Sequence, residues 1–203
     1  MKYGKVFEAM QILHDAGYGL SCHVLNAALC GVPQRRKRFF MVGRIGAADG
    51  FLDRYFIRHL AGREMTMRDY FGDRLGIDAY YRHPRSYARR GVFSMDEPSP
   101  TVRGVNRPMP SGYTLHHNDP VKTLDGIRPL TTMERAAIQT FPSDYHWTGN
   151  KTAVEQMVGN AVPVSLAAYV GNAINEYIVE NEQRAARHGK REPSMRTHGH
   201  IAV

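Results

Sequence analysis

The sequence has no apolar run approaching the roughly 20 residues needed to span a bilayer, and no signal-like apolar core follows Met1. It has only two cysteines, Cys22 and Cys30, and they lack the paired spacing of a zinc site. This usage fits a reduced compartment, and both cysteines are expected to pack in the interior. His198 and His200 are expected to be solvated, because no carboxylate or cysteine cluster accompanies them. These absences predict a cytoplasmic protein with no membrane segment and no metal site.

Acidic side chains are fewer than basic ones in this sequence. The 203 residues contain 19 Asp and Glu against 27 Lys and Arg, a formal net charge of +8. This balance predicts an anionic partner, with nucleic acid ahead of acidic protein or membrane. Apolar residues make up 42% of the chain, which is enough for the core of one ordinary domain or two small ones.

A turn followed by a basic strand forms the most informative stretch, residues 31–43, GVPQRRKRFFMVG. Side chains of an extended segment alternate between faces, so Gln34, Arg36 and Arg38 are expected to share one face. Two guanidiniums on one face need anionic or hydrogen-bonding partners, and Arg suits forked bonding to phosphate or a base edge. The pattern alone leaves a second interpretation open, a solvated basic run or localisation-like patch before a strand.

Periodicity predicts a helix with one buried face over residues 4–16, followed by strands on either side of the turn, within 18–28 and at 38–43. Two strands alone are marginal in water, so this unit is expected to need further strands. Later, Thr131 and Glu134 form a capping-box pattern that predicts a helix ended by Pro142.

Residues 156–163 are predicted to form a tight turn before a long helix. That helix carries an apolar stripe that is expected to pack on a partner surface, at Ala167, Val170, Gly171, Ile174, Tyr177 and Ile178.

Between residues 82 and 107, six arginines accompany only two acidic residues, and tyrosines are interleaved with them. Guanidiniums can neutralise phosphates or fork onto guanine, so this loop-rich region is a candidate DNA surface. An ordinary solvated surface that binds nothing fits the same pattern. The candidate DNA-binding residues are Arg82, Arg85, Arg89, Arg90, Arg103 and Arg107.

Three segments resemble, in order, conserved blocks of the DNA cytosine C5 methyltransferases. VLNAALCGVPQRRKRFFMVG resembles the eighth block, with its Gln-x-Arg-x-Arg pattern; RPLTTMERAAIQTFP resembles the ninth, and EQMVGNAVP the tenth. The resemblance implies an α/β fold, namely the incomplete C-terminal part of a Rossmann-like methyltransferase domain plus a small, loop-rich, mostly β target recognition domain. The resemblance implies four divisions: a catalytic piece (1–43), a recognition domain (44–154), a helix that returns to the catalytic piece (155–181) and a disordered tail (182–203).

The resemblance also implies roles for individual residues. Arg36 and Arg38 are expected at the extruded target cytosine or its phosphate, with Gln34 fixing their arrangement. Asn160 and Ala161 are expected beside S-adenosylmethionine. Without the other blocks, the Gly-Asn pair is better explained as a turn that only caps a helix.

The family's chemistry needs groups that this sequence does not contain: a Pro-Cys nucleophile, a Glu-Asn-Val acid segment and a Gly-rich cofactor loop. The match begins directly after Met1, which leads to the expectation of a subunit of a split enzyme. A cloned fragment or a truncated gene would look the same. The partners of this chain would be double-stranded DNA and a catalytic subunit or N-terminal half that shares the S-adenosylmethionine site, within a restriction-modification system. Two alternatives are a non-catalytic DNA-binding or regulatory remnant, and an interaction subunit that never binds DNA.

Overall fold

The computed structural model describes residues 4–86 and 88–189. The helices, in chain order, are α1 Gly4–Asp15, α2 Asp53–Arg58, α3 Met67–Phe71, α4 Thr132–Ile138, α5 Lys151–Asn160 and α6 Val164–Gly189. The strands are β1 Tyr18–Asn26, β2 Gln34–Arg35, β3 Lys37–Ile45, β4 Ala79–Tyr81, β5 Val92–Ser94 and β6 Ser99–Pro100. They pair two by two: β1 with β3 and β4 with β5 antiparallel, and β2 with β6 parallel.

One hydrophobic core joins the β1–β3 unit to the last helix. Its buried residues come from β1 and the turn after it, from α2 with the residue before it, and from α6: Leu25, Ala27, Cys30, Val32, Leu52, Tyr55, Phe56, Leu166, Val170 and Ala173. The strand unit and α6 therefore lie side by side, as predicted. The predicted stripe is only partly correct, because Ala167, Gly171 and Ile178 are exposed while Leu166 and Ala173 are buried.

A second core lies under the arginine-rich region. It is formed by buried residues of α3, β4, β5, α4 and α5 with their connections: Met67, Phe71, Tyr80, Phe93, Met95, Val102, Leu130, Ala136, Ile138, Val154 and Val158. The Thr131–Glu134 capping box is confirmed, since both of its reciprocal hydrogen bonds are present. The two cores do not follow the predicted divisions. Helix α2 lies after the predicted boundary at residue 43 but packs in the first core, and Val158 lies after the predicted boundary at residue 154 but packs in the second. The domain boundaries themselves stay predictions.

Three local predictions are corrected. Helix α1 contacts β1 but has no fully buried residue, and its expected packed face, Val6, Met10 and Leu13, is only half-buried. Residues 156–160 are helical rather than part of a turn, because the Asn150 side chain caps α5 by accepting from the Ala153 amide at 3.0 Å. The expected tail is helical through Gly189; residues 190–203, with His198 and His200, lie outside the described part.

The stretch Lys151–Arg187 contains an 18-residue window with mean hydropathy 1.3, which could cross a membrane by length and composition. The expectation that no segment would do so is therefore wrong on that measure. The chain leaves helical geometry at 161–163, between α5 and α6, and 33% of the window is buried within the protein. Core helices of soluble proteins have the same composition, so one such window is weak evidence for a membrane.

Candidate active-site scaffold and nucleic-acid interface

Gln34 is fully buried and joins three distant parts of the chain. Strand β2 pairs with β6, which brings Gln34 beside the residues that follow β6. The Val102 amide donates to Gln34 Oε1 at 2.8 Å, and Gln34 Nε2 donates to Gln139 Oε1 at 2.8 Å. Gln139 in turn donates from Nε2 to the Val158 carbonyl at 2.6 Å. A buried polar side chain is tolerated when its groups are paired in this way.

Arg36 is 1% exposed, and its guanidinium points into the protein. It donates to the carbonyls of Val102, Gly159 and Ala161, each at 2.9 Å. Gly159 and Ala161 lie at the C-terminal end of α5, where carbonyls lack intrahelical partners and the helix dipole favours a cation. Burial, and secondarily Arg38, lower the pKa of Arg36 to about 10, so it remains charged at neutral pH. The structure thus places Arg36 on backbone carbonyls, unlike the expected position against a base or phosphate.

Arg38 is the member of the trio that remains partly accessible to solvent. Burial alternates as predicted: Gln34 and Arg36 are buried, whereas Arg35 and Lys37 are exposed. Arg38 is half-buried, and its contact within the described residues is donation from Nη1 to the Lys37 carbonyl at 2.8 Å. Most of its guanidinium donors are therefore available to a ligand, and Arg38 stays the candidate for base contact.

The two predicted cofactor residues end α5 next to Arg36. Asn160 is exposed, and the neighbouring side chains of Met157 and Val162 are 40% and 43% exposed. The Ala161 carbonyl accepts from Arg36 at 2.9 Å and from Gln139 at 3.3 Å. An exposed amide beside apolar side chains could hold both polar and apolar parts of a cofactor.

Three residues that sequence reasoning did not select complete this network. Gln139 links Gln34 to α5. Gly159 lies so close to the segment after β6 that a Cβ on it would be 2.0 Å from the Gly104 amide nitrogen. Thr140 has φ 59°, which is unusual for a β-branched residue. Its hydroxyl accepts from the Ser165 amide at 2.8 Å and so joins the end of α4 to the start of α6. The available signal was two polar residues, Gln139 and Thr140, between the apolar residues 136–138 and Phe141, just before Pro142.

The six candidate DNA-binding arginines border two adjoining clefts. Five of them line a cleft of about 850 Å³: Arg82, Arg85, Arg89, Arg90 and Arg103. Arg85 and Arg103 also line a neighbouring cleft of about 500 Å³, together with Arg107 and with Gln156 of α5. The structure thus brings these six side chains together, although β4, β5 and the loops place them at separate points in the sequence.

Within the clefts, the arginines differ in how firmly they are held. Arg82 donates to the Thr101 carbonyl at 2.8 Å, Arg90 pairs with Glu97 at 2.5 Å, and Arg103 donates to the His83 carbonyl. Burial, and then the Arg103 charge, lower the pKa of Arg82 to about 10. Burial, Arg107 and Arg103 lower the pKa of His83, which favours its neutral form at pH 7. The remaining three arginines, Arg85, Arg89 and Arg107, are exposed.

Comparison with known proteins identifies the family of this arrangement. The family profile described as "C-5 cytosine-specific DNA methylase" matches residues 2–176. The chain belongs to this methylase family. The three segments that suggested the family, residues 24–43, 128–142 and 155–163, each contribute residues to the buried network.

Relatives of this methylase-family chain include Type II methyltransferases. It is 53% identical over 161 residues to M.HindV of Haemophilus influenzae, covering 79% of this chain and 53% of that protein. It is 49% identical over 171 residues to M.HgiDI of Herpetosiphon aurantiacus, covering 84% of this chain and 55% of that protein. The chain thus spans about half the length of the curated relatives it matches.

A solved structure supports the fold of this methylase-family chain. The S. pombe Dnmt2 methyltransferase aligns with a TM-score of 0.55 at 15% sequence identity, over 86% of this chain and 63% of that one. At this identity the similarity concerns the fold alone, and it confirms the α/β methyltransferase class.

Proposed function

We propose that this chain is the DNA-recognition and base-positioning part of a DNA cytosine C5 methyltransferase, and that it works with a catalytic part, a separate subunit or an N-terminal half, that carries the nucleophilic cysteine. The observation that carries the proposal is the convergence of three family blocks in one buried network beside an arginine-lined cleft. The sequence itself has no Pro-Cys or Glu-Asn-Val segment. The enzyme would act in the cytoplasm, in restriction and modification.

Each part of the site has a distinct role in this proposal. Gln34 and Arg36 hold the end of α5 and the segment after β6 in fixed positions, while Arg38 contacts the extruded cytosine or its phosphate. Bound S-adenosylmethionine supplies the methyl group, and Asn160 and Ala161 border it. Arginines of the cleft neutralise DNA phosphates and position the duplex.

Exposed apolar residues on β1, β3 and α1 support packing against a further catalytic part. Strands β1 and β3 pair only with each other among the residues that the structure describes, so each has an edge without a strand partner. Val24 and Phe39 lie opposite each other in register and are 63% and 48% exposed. On α1, Phe7 and Ile12 are 66% and 62% exposed. An isolated strand pair is marginal in water, so further structure against these faces would stabilise it.

A reconstitution experiment tests the proposal. The full chain would be co-expressed with the part of M.HindV that lies outside the matched region, and methyl transfer from labelled S-adenosylmethionine to duplex DNA would be measured. We expect methylation from the mixture and none from either polypeptide alone. Methylation by the lone chain would refute the division of labour. The experiment would be repeated with the protein encoded next to this chain's gene as the partner. A stable complex that binds DNA but does not methylate it with either partner would instead support the DNA-binding remnant.

Replacing Arg85 or Arg89 with Ala is expected to weaken DNA binding uniformly across sequences. Each exposed guanidinium that neutralises a phosphate contributes to counterion release, so each loss should reduce the slope of log K against log salt by about 0.9. The measurement is duplex binding by the complex between low and moderate salt. Arg63→Ala is the matched control, since Arg63 is exposed but pairs with Asp69 at 2.6 Å and does not line either cleft. An equal slope change in the control would mean that net charge, not the cleft, governs binding.

A further inference from the structure

The segment after β6, residues 102–107, is held at four positions: Val102, Arg103, Gly104 and Asn106. Val102 is bonded through both backbone groups: its amide donates to Gln34 Oε1 at 2.8 Å, and its carbonyl accepts from Arg36 at 2.9 Å. Asn106 Nδ2 donates to the Leu130 carbonyl at 2.7 Å. We name residues 102–107 the pinned loop.

The middle of the pinned loop is fixed against the second core. The Arg103 carbonyl accepts from Arg135, which is 6% exposed and forms an ion pair with Glu155 of α5. Gly104 packs against Gly159 with no room for a side chain on Gly159. Side chains carried by this loop are therefore presented at a defined position, which is what precise recognition requires.

Val105 is the apolar side chain that this loop directs outward. It is 59% exposed, although the residues on both sides are anchored. A single exposed apolar residue is ordinary on a protein surface. Val105 differs in its surroundings, because it lines the same cleft as Arg85, Arg103 and Arg107. The arginines suit phosphates or guanine, whereas a rigid apolar group can contact only an apolar base edge, such as the thymine methyl.

We propose that Val105 is a specificity-determining residue that contacts the apolar edge of a base next to the target cytosine. The position of Val105 follows from the contacts of the pinned loop. Arg36 donates hydrogen bonds to both Val102 and Ala161, and Arg38 lies two residues after Arg36 in the sequence. The pinned loop thereby keeps a fixed distance to the residues at the reacting base. This inference rests on the proposed function and adds the residue that reads one position of the DNA site.

The test uses the reconstituted complex and a panel of duplexes in which each base pair of its recognised site is changed singly. Val105→Ala is expected to lower discrimination at one base pair by about tenfold in binding, since it removes two apolar carbons from the contact and their burial contributes about that much. Discrimination at the other positions and the salt slope should stay within about twofold of the parent complex. Val179→Ala is the control, because Val179 is a 40% exposed valine on α6, outside the cleft.

The outcomes separate the two proposals. Unchanged discrimination at every position in a complex that binds and methylates DNA would overturn the role of Val105 alone. An equal loss at all positions would also overturn it, since that result indicates general weakening rather than base reading. A complex that binds no duplex would overturn both this role and the proposed function. The thermal midpoint of Val105→Ala, expected to be near that of the parent, checks that the variant is folded.

Discussion

Replacing Arg36 with Met should lower the free energy of unfolding by about 3 kcal/mol or more. Two buried carbonyls, those of Val102 and Gly159, would lose the Arg36 donor, and the part-buried Ala161 carbonyl would keep only its 3.3 Å bond from Gln139. Each buried acceptor left unsatisfied costs about 1–3 kcal/mol, and hydrogen bonds from a charged donor lie at the upper end of the usual range. The measurement is urea unfolding of the full chain, repeated as a thermal midpoint in the reconstituted complex.

Arg35→Met is the matched control. Arg35 precedes Arg36 directly, but its side chain is 57% exposed and pairs with Glu64 at 2.6 Å. Exposed ion pairs contribute about 0–1 kcal/mol, so this variant should be nearly as stable as the parent. Arg36→Lys should fall between the two, because an ammonium group lacks the planar fork that reaches several carbonyls at once. Equal stability of the Arg35 and Arg36 variants would show that Arg36 does not hold the network together.

The sequence predicted the face that carries the trio, and the reason is local. Alternation along an extended segment is set by backbone geometry, so Gln34 and Arg36 were correctly placed together. Their partners could not be predicted from local pattern. The carbonyls that accept from Arg36 lie 66, 123 and 125 residues further along the chain, and their positions depend on how both cores fold. The local sequence is the same whether an arginine is buried against backbone carbonyls or faces DNA, so it does not distinguish the two.

The end of α6 shows a different limit. A polar, non-periodic sequence after residue 181 predicted a tail, yet the helix continues to Gly189. Arg54 pairs with Glu180 at 2.5 Å and Arg58 with Glu176 at 3.2 Å, so tertiary ion pairs fix the turns just before that point. Residues 182–187, Glu-Gln-Arg-Ala-Ala-Arg, are strong helix formers, and they extend a helix that is already anchored. Apolar periodicity detects a buried face, but not a helix whose outer turns are solvated.

The second large effect is expected at Gly159, where α5 meets the pinned loop. In Gly159→Ala the new Cβ would lie 2.0 Å from the Gly104 nitrogen, 2.3 Å from the Arg103 carbonyl carbon and 2.4 Å from the Gly104 Cα. These are backbone atoms that neighbouring bonds hold in place, so relief of the clash requires α5 and the loop to separate. Overpacking costs about 1–3 kcal/mol and more when backbone must move, so we expect at least about 3 kcal/mol of destabilisation.

Gly171→Ala separates this clash from the general effect of adding a methyl group to a helical glycine. Gly171 lies in α6 with nothing within 4 Å of the added Cβ, so this variant should gain about 0.5–1 kcal/mol from helix propensity. The two changes should therefore have opposite signs in urea unfolding. In the reconstituted complex, Gly159→Ala should also reduce discrimination among duplexes, because displacing the pinned loop moves Val105 away from its base. A Gly159→Ala variant as stable and as selective as the parent would mean that the loop is not fixed by α5, and Val105 would then have no defined position from which to read a base.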